Sequence, residues 1–130
     1  MPPDPEIVRQ WVRLAEHDLR EAEHALSEPL DAAYEISCFH AQQAAEKYLK
    51  AFLAASNISI PNTHDLDRLR QRFPAECRLD ISAEELAHLT PFAVNSRYPG
   101  VDVPETREDA VFALTIARKV REGMRKLLKF

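Results

Sequence analysis

His40, Gln43 and Lys47 are spaced three and four residues apart within a run of helical periodicity. At about 100° per residue they fall on one stripe, together with Ile36 and Ala51. An imidazole, a carboxamide and an ammonium on one stripe can face a single ligand together. The alternative is an ordinary half-exposed helix face, with Lys47 pairing to its neighbour Glu46. Asp18 adds a carboxylate in the apolar seam of the preceding helix, where it needs a partner. It either fixes packing through a buried hydrogen bond or ion pair, or faces a ligand in a cleft.

Arg97 and Tyr98 stand in a loop just before the last helix. An arginine there donates two parallel bonds to a phosphate, a tyrosine stacks on a base, and the following helix N-terminus favours an anion. The other reading is an arginine that ties the loop to the bundle and a tyrosine that plugs the end of the core. His64, at a helix start between Thr63 and Asp65, is either a satisfied structural imidazole or a base. His17, Glu21 and His24 share a face of the first helix, but a metal normally needs three or four ligands and no further one is at hand, so no metal is expected. Ser37, Ser56, Ser59 and Ser96 have no histidine at short range to activate them.

The elements that must position these groups are helices. Asp4-Pro5 is an N-cap followed by proline at the first helical position. Ile7, Trp11, Leu14, Asp18, Ala22 and Ala25 then form an apolar stripe that ends at Pro29. A second, alanine-rich helix is predicted over 31–56, with Cys38, Ala41, Ala45, Leu49 and Phe52 on its apolar arc. Thr63 is predicted to cap a short third helix holding Leu66, Leu69 and Phe73. Ser82 and Glu85 have capping-box spacing for a fourth, whose apolar face is Leu86, Leu89, Phe92 and Ala93. The segment 96–104 is punctuated by Pro99, Gly100 and Pro104 and reads as a loop. Thr106 and Asp109 open the last helix, with Ala110, Ala113, Leu114, Ala117, Val120, Met124 and Leu127 as its core stripe. The expected fold is all-α, an antiparallel up-and-down bundle of four or five helices in one domain over residues 1–130.

Composition narrows the field further. With 2 glycines in 130 residues, phosphate loops, dinucleotide fingerprints and hairpin-rich folds are excluded. A net charge of -4 argues against a protein that coats duplex DNA. Residues 1–57 hold 5 basic and 10 acidic side chains, whereas residues 105–130 hold 7 basic and 4 acidic. The cations of the last helix, Arg118, Lys119, Arg121, Arg125, Lys126 and Lys129, either complement its dipole on a solvated face or form a nucleic-acid patch without interleaved aromatics. No apolar run reaches the ~20 residues of a membrane span, the opening Met1-Pro2-Pro3-Asp4-Pro5 is no signal peptide, and Cys38 and Cys77 make no disulfide framework. A cytoplasmic protein is expected.

The order of motifs also resembles a family. Trp11-x3-Ala15-x2-Asp18-Leu19-x2-Ala22 is followed by the run Cys38-Phe39-His40-Ala41-Gln42-Gln43-Ala44-Ala45-Glu46-Lys47-Tyr48-Leu49-Lys50. Thr63-His64-Asp65-Leu66-x2-Leu69 comes next, then Ser96-Arg97-Tyr98-Pro99 and an alanine-rich last helix. Over nearly the whole chain this is similar to prokaryotic HEPN-domain proteins (higher eukaryotes and prokaryotes nucleotide-binding). The resemblance implies a helical bundle that forms a homodimer and acts beside a minimal nucleotidyltransferase, often as a toxin–antitoxin pair, with no cofactor. It also implies a nucleotide or RNA ligand at Arg97, Tyr98, Lys47 and Gln43, with His40 and Asp18 nearby. Ribonucleases of the family carry an arginine followed, after four to six intervening residues, by histidine. Here Asp102, Val103 and Pro104 stand at those positions after Arg97, and no other arginine has the spacing. A ribonuclease would need His64 or His40 as a displaced acid/base with Arg97 on the phosphate.

Overall fold

The structure, a computed structural model, describes residues 2–94 and 98–130. Among these residues five α-helices follow one another: α1 (Pro5–Ser27), α2 (Tyr34–Ala55), α3 (Leu66–Arg70), α4 (Ala83–Leu89) and α5 (Arg107–Leu128), with a 3-10 turn at Thr90–Ala93. No strand occurs among the described residues. The long helices α1, α2 and α5 form the bundle. α2 lies at its centre, packed mainly on α1 and then on α5, while α3, α4 and the 3-10 turn close one side.

The helix ends follow local chemistry. Asp4 accepts from the Glu6 amide with Pro5 at the first helical position. Complete capping boxes, Ser82 with Glu85 and Thr106 with Asp109, open α4 and α5. α2 starts at Tyr34 rather than 31, with Ala33 as an N-cap that has no side-chain bond. It stops where Asn57 turns left-handed at φ 57°. Asp65, not Thr63, caps α3 through the Arg68 amide; Thr63 instead holds the Asp65 amide. α4 ends at Leu89, so Phe92 and Ala93 belong to the 3-10 turn. Pro91 lacks the N–H that would carry the α-helical ladder onward.

The core explains why α2 holds the site. Ala41, Ala44, Ala45, Ala51, Leu49, Leu53 and Tyr48 are all at 0% exposure, so α2 is buried nearly all round. Its alanines allow neighbouring helices a close approach. Ala110, Ala113, Leu114, Ala117, Val120 and Met124 of α5 are buried as their spacing predicts, and Leu127 is half-buried. On α1 the predicted stripe is corrected. Ile7 and Leu14 are 44% and 43% exposed, and Ala15 and Leu19 take the buried places beside Asp18, Ala22 and Ala25.

Candidate functional site

Because α2 is enclosed, its polar residues must be matched by partners. Asp18 reaches it from α1. The carboxylate, 8% exposed, has Oδ1 2.8 Å from His40 Nδ1 and accepts from Lys47 Nζ through Oδ2. The stripe predicted from spacing is therefore one side of an ion-pair unit. The His40 and Lys47 side chains are 26% and 24% exposed, so each keeps an outer side in water. With Nδ1 bonded to Asp18, Nε2 is the imidazole nitrogen left for another molecule. Lys47 is not paired to its neighbour Glu46; Lys50, one turn on from Glu46, takes that place at 2.8 Å. The Phe39 ring lies edge-on to His40 at 5.2 Å.

Gln43 does not contact Asp18. Its amide donates to Gln42 Oε1 at 2.7 Å, and Gln42 donates in turn to the His64 carbonyl at 3.1 Å. Gln42 is fully buried and Glu46 is 4% exposed. Glu46 Oε1 lies 2.8 Å from His64 Nδ1, which locks the histidine of the α2–α3 connector. Burial alone would raise the Glu46 carboxyl. Hydrogen bonds from Lys50 and His64, the Lys50 charge and a bond from Gln42 outweigh it and hold the carboxyl below the usual range. Lys50 also lies 5.7 Å from the centre of the Trp11 ring. Gln42, Glu46, Lys50 and Trp11 were not singled out as site residues from the sequence. The i, i+4 spacing of Glu46 and Lys50 was the available signal.

The loop residues stand differently. Arg97 lies outside the described residues. Tyr98 is 69% exposed, and its backbone N–H donates to Asp102 Oδ2 at 2.7 Å; its described bonds are all within its own loop. Thr90 anchors the approach to that loop, accepting from the Leu66 amide at 3.1 Å. Leu66 follows the connector that Gln42 holds, so Thr90 and the α2 network share one scaffold.

A second polar knot lies on the other side of Asp18. Glu16 Oε1 accepts from Tyr48 Oη at 2.8 Å and from Arg121 Nε at 2.7 Å, tying α1, α2 and α5. Burial pushes the Tyr48 phenol up, and the Glu16 charge adds to the shift. Burial would also raise Glu16, but bonds from Arg121 and Tyr48 and the charges of Arg121 and Arg20 hold it below its usual value. Other cations of α5 are engaged as well: Arg118 with Glu23 at 2.9 Å, Lys119 with Glu85 at 2.9 Å, and Arg125 with the Phe130 carbonyl at 3.0 Å. Ion pairing to α1 and α4 thus accounts for much of the basic stripe. Among the described residues, no three His, Cys, Asp or Glu side chains are grouped to hold a metal, and no helix is long and apolar enough to cross a membrane.

Comparison with known proteins fits this architecture. The model of the HEPN domain matches residues 8–127. A crystal structure of a protein from Thermus thermophilus is similar at TM-score 0.76 and 28% identity, covering 92% of this chain and 96% of that one. A crystal structure of an archaeal HEPN homologue is similar at TM-score 0.71 and 28% identity, with the same coverage of 92% and 96%. No curated protein matches the chain.

Proposed function

This chain belongs to the HEPN domain family, and we propose that it is a nucleotide- and partner-binding module that works as a homodimer beside a minimal nucleotidyltransferase, in a toxin–antitoxin-like pair. The observation that carries the reading is the Asp18 unit. One carboxylate of α1 holds an imidazole and an ammonium of α2 side by side, each with an outer side in water. A phosphate meets Lys47 as a positive charge beside the His40 ring. Asp18 sets the position of both groups before the ligand arrives, which lowers the ordering cost of binding. Gln43 lines the same strip. Arg97 adds a guanidinium from the loop and Tyr98 an exposed ring for the base.

The sequence supports binding over cleavage, because no arginine is followed by histidine at the ribonuclease spacing. One observation favours the second reading, a metal-independent ribonuclease. His40 and His64 are each aligned by a carboxylate, as a general base requires. In that reading Arg97 stabilises the phosphate and His64 or His40 removes the ribose 2′-hydroxyl proton; the 2′-oxygen bonds to phosphorus as the P–O5′ bond breaks, and the proton passes to the departing 5′-oxygen, leaving a 2′,3′-cyclic phosphate and a 5′-hydroxyl.

Calorimetric titration of the protein with nucleotides, and separately with the nucleotidyltransferase, tests the first reading. Binding of either is expected, with nucleotide binding lost in Lys47→Met; silence with both overturns the proposal. A metal-free RNA cleavage assay beside Arg97→Ala tests the second. Cleavage that disappears in the variant would put it ahead.

A further inference from the structure

Gly123 is one of 2 glycines in the chain, and it stands inside α5, where glycine weakens a helix relative to alanine. Leu79, in the connector between α3 and α4, explains its place. A Cβ built on Gly123 would lie 2.7 Å from Leu79 Cδ2, closer than real contacts come. The bare backbone lets Leu79 rest directly on the helix. Two bonds hold the connector there. The Cys77 amide donates to the Pro74 carbonyl at 2.9 Å, and Arg70 Nη1 donates to the carbonyl of buried Ile81 at 3.3 Å.

Between the connector and α5 lies a cleft of about 290 Å³, the size of a small molecule. Half-buried Leu79 and Leu127 give it an apolar floor, and its rim is charged. Lys119 on the rim is already paired with Glu85 at 2.9 Å, and the charge of Asp80 acts on the same ammonium. Arg78, Glu122 and Lys126 are exposed and make no side-chain hydrogen bond or ion pair among the described residues. Glu122 and Lys126 have the i, i+4 spacing at which such residues pair along a helix, yet both are left for another molecule. The rim selects by charge. A simple anion meets Arg78 and Lys126 but is repelled by the Glu122 and Asp80 carboxylates, and a simple cation meets the reverse. A molecule with both signs on neighbouring atoms meets each with its opposite. An apolar group on the same molecule covers the two leucines.

We propose that this cleft binds a free amino acid with an apolar side chain. The ligand carboxylate meets Arg78, whose guanidinium can take both oxygens, and Lys126. Its ammonium meets Glu122, and its side chain lies on Leu79 and Leu127. The cleft is built from α5 and the connector and shares no residue with the Asp18 unit, so it goes beyond the proposed function and does not depend on it.

The test is amide NMR of the isotope-labelled full chain, titrated with L-leucine, N-acetyl-L-leucine and L-leucinamide. The last two each lack one of the two charges. Gly100 and Gly123 are the only glycines, and glycine amides fall in a spectral region of their own. Gly123→Ala removes one of the two signals and so assigns both. Leucine is expected to shift the Gly123 signal saturably and to leave Gly100, in the loop before α5, unmoved. Each blocked form is expected to bind about three- to tenfold more weakly, the range for one solvent-screened, charge-assisted bond. Arg78→Ala should weaken leucine by a similar factor, and Glu122→Gln should bring leucine and N-acetyl-leucine to the same affinity. Both positions are exposed, so these substitutions leave the fold in place. No saturable shift of Gly123 with leucine overturns the proposal. So does N-acetyl-leucine binding as tightly as leucine to the unaltered chain, because the cleft would then read an anion alone. Either failure leaves the proposed function standing.

Discussion

Glu16 and Asp18 stand two residues apart on α1, and both accept hydrogen bonds from α2. Glu16 also meets α5: its Oε1 takes the Tyr48 hydroxyl and the Arg121 guanidinium, closing a three-helix knot. Asp18 takes both its partners from α2 and leaves their outer sides in water. The partners differ in kind as well. Glu16 holds an arginine and a buried phenol, Asp18 an imidazole and an ammonium. One carboxylate builds a clasp; the other holds its partners at the surface and is the proposed site. What separates them is whether a third helix joins the pair.

The largest effect should come from dismantling the clasp. Tyr48 is fully buried, so Tyr48→Ala is expected to lower stability by about 3–5 kcal/mol in denaturant unfolding. Tyr48→Phe keeps the ring and removes only the hydroxyl bond to Glu16, for about 1–2 kcal/mol. If both variants unfold like wild type, the Glu16 knot does not hold the bundle. Asp18→Asn should behave in the opposite sense. It keeps the size of the side chain, weakens stability by about 1–2 kcal/mol and removes nucleotide binding. Binding that survives this change would put the clasp–site distinction in doubt.

Acid should weaken the clasp without needing a mutation. Glu16 and Glu46 are both held below the usual glutamate value of 4.5 in the folded protein. Their contribution is present above the unfolded value and is lost as pH falls through the lowered folded values. Stability should therefore decline on the acid side of about pH 4.5, and Glu16→Gln should flatten that limb. In alkali the sign reverses for Tyr48, whose folded value lies above its unfolded one. Its share of stability is present below about pH 10 and lost above it, so its phenolate absorbance should appear only as the protein unfolds. Titration of Tyr48 in the intact fold would contradict its burial.

Much of this was legible in the sequence because the signals are local. Asp4-Pro5, Ser82 with Glu85, and Thr106 with Asp109 specify helix starts within four residues, and the structure has each of them. The His40–Lys47 stripe and the misfit carboxylate Asp18 were readable too, because a charge in an apolar seam demands a partner. The α1 register was not fully readable. A stripe through Ile7, Trp11 and Leu14 and one through Ala15 and Leu19 share Asp18, Ala22 and Ala25, and periodicity alone does not choose between them. The Glu46–His64 bond spans 18 residues and Glu16–Arg121 spans 105. Neither follows from spacing on one helix, since tertiary packing alone brings those groups together.

The smallest expected effect sharpens the comparison most directly, because it changes burial while keeping the chemistry. Arg118 meets Glu23 as Arg121 meets Glu16, an arginine of α5 on a glutamate of α1, at 2.9 Å and 2.7 Å. The outer pair is 54% and 43% exposed and the inner one 30% and 31%. Only the inner glutamate also accepts from a buried tyrosine. Water and salt screen the outer pair, so Arg118→Ala should change stability by about 0–1 kcal/mol and less at high salt. Arg121→Ala removes the Arg121 bond from Glu16 and keeps the one from Tyr48, and should cost more, about 1–3 kcal/mol after allowance for its partial exposure. Double-mutant cycles on the two pairs isolate each coupling. Equal couplings would mean that the charge pair alone sets the strength. A larger inner coupling would assign the difference to the tyrosine, the feature that makes Glu16 a clasp and has no counterpart among the bonded partners of Asp18.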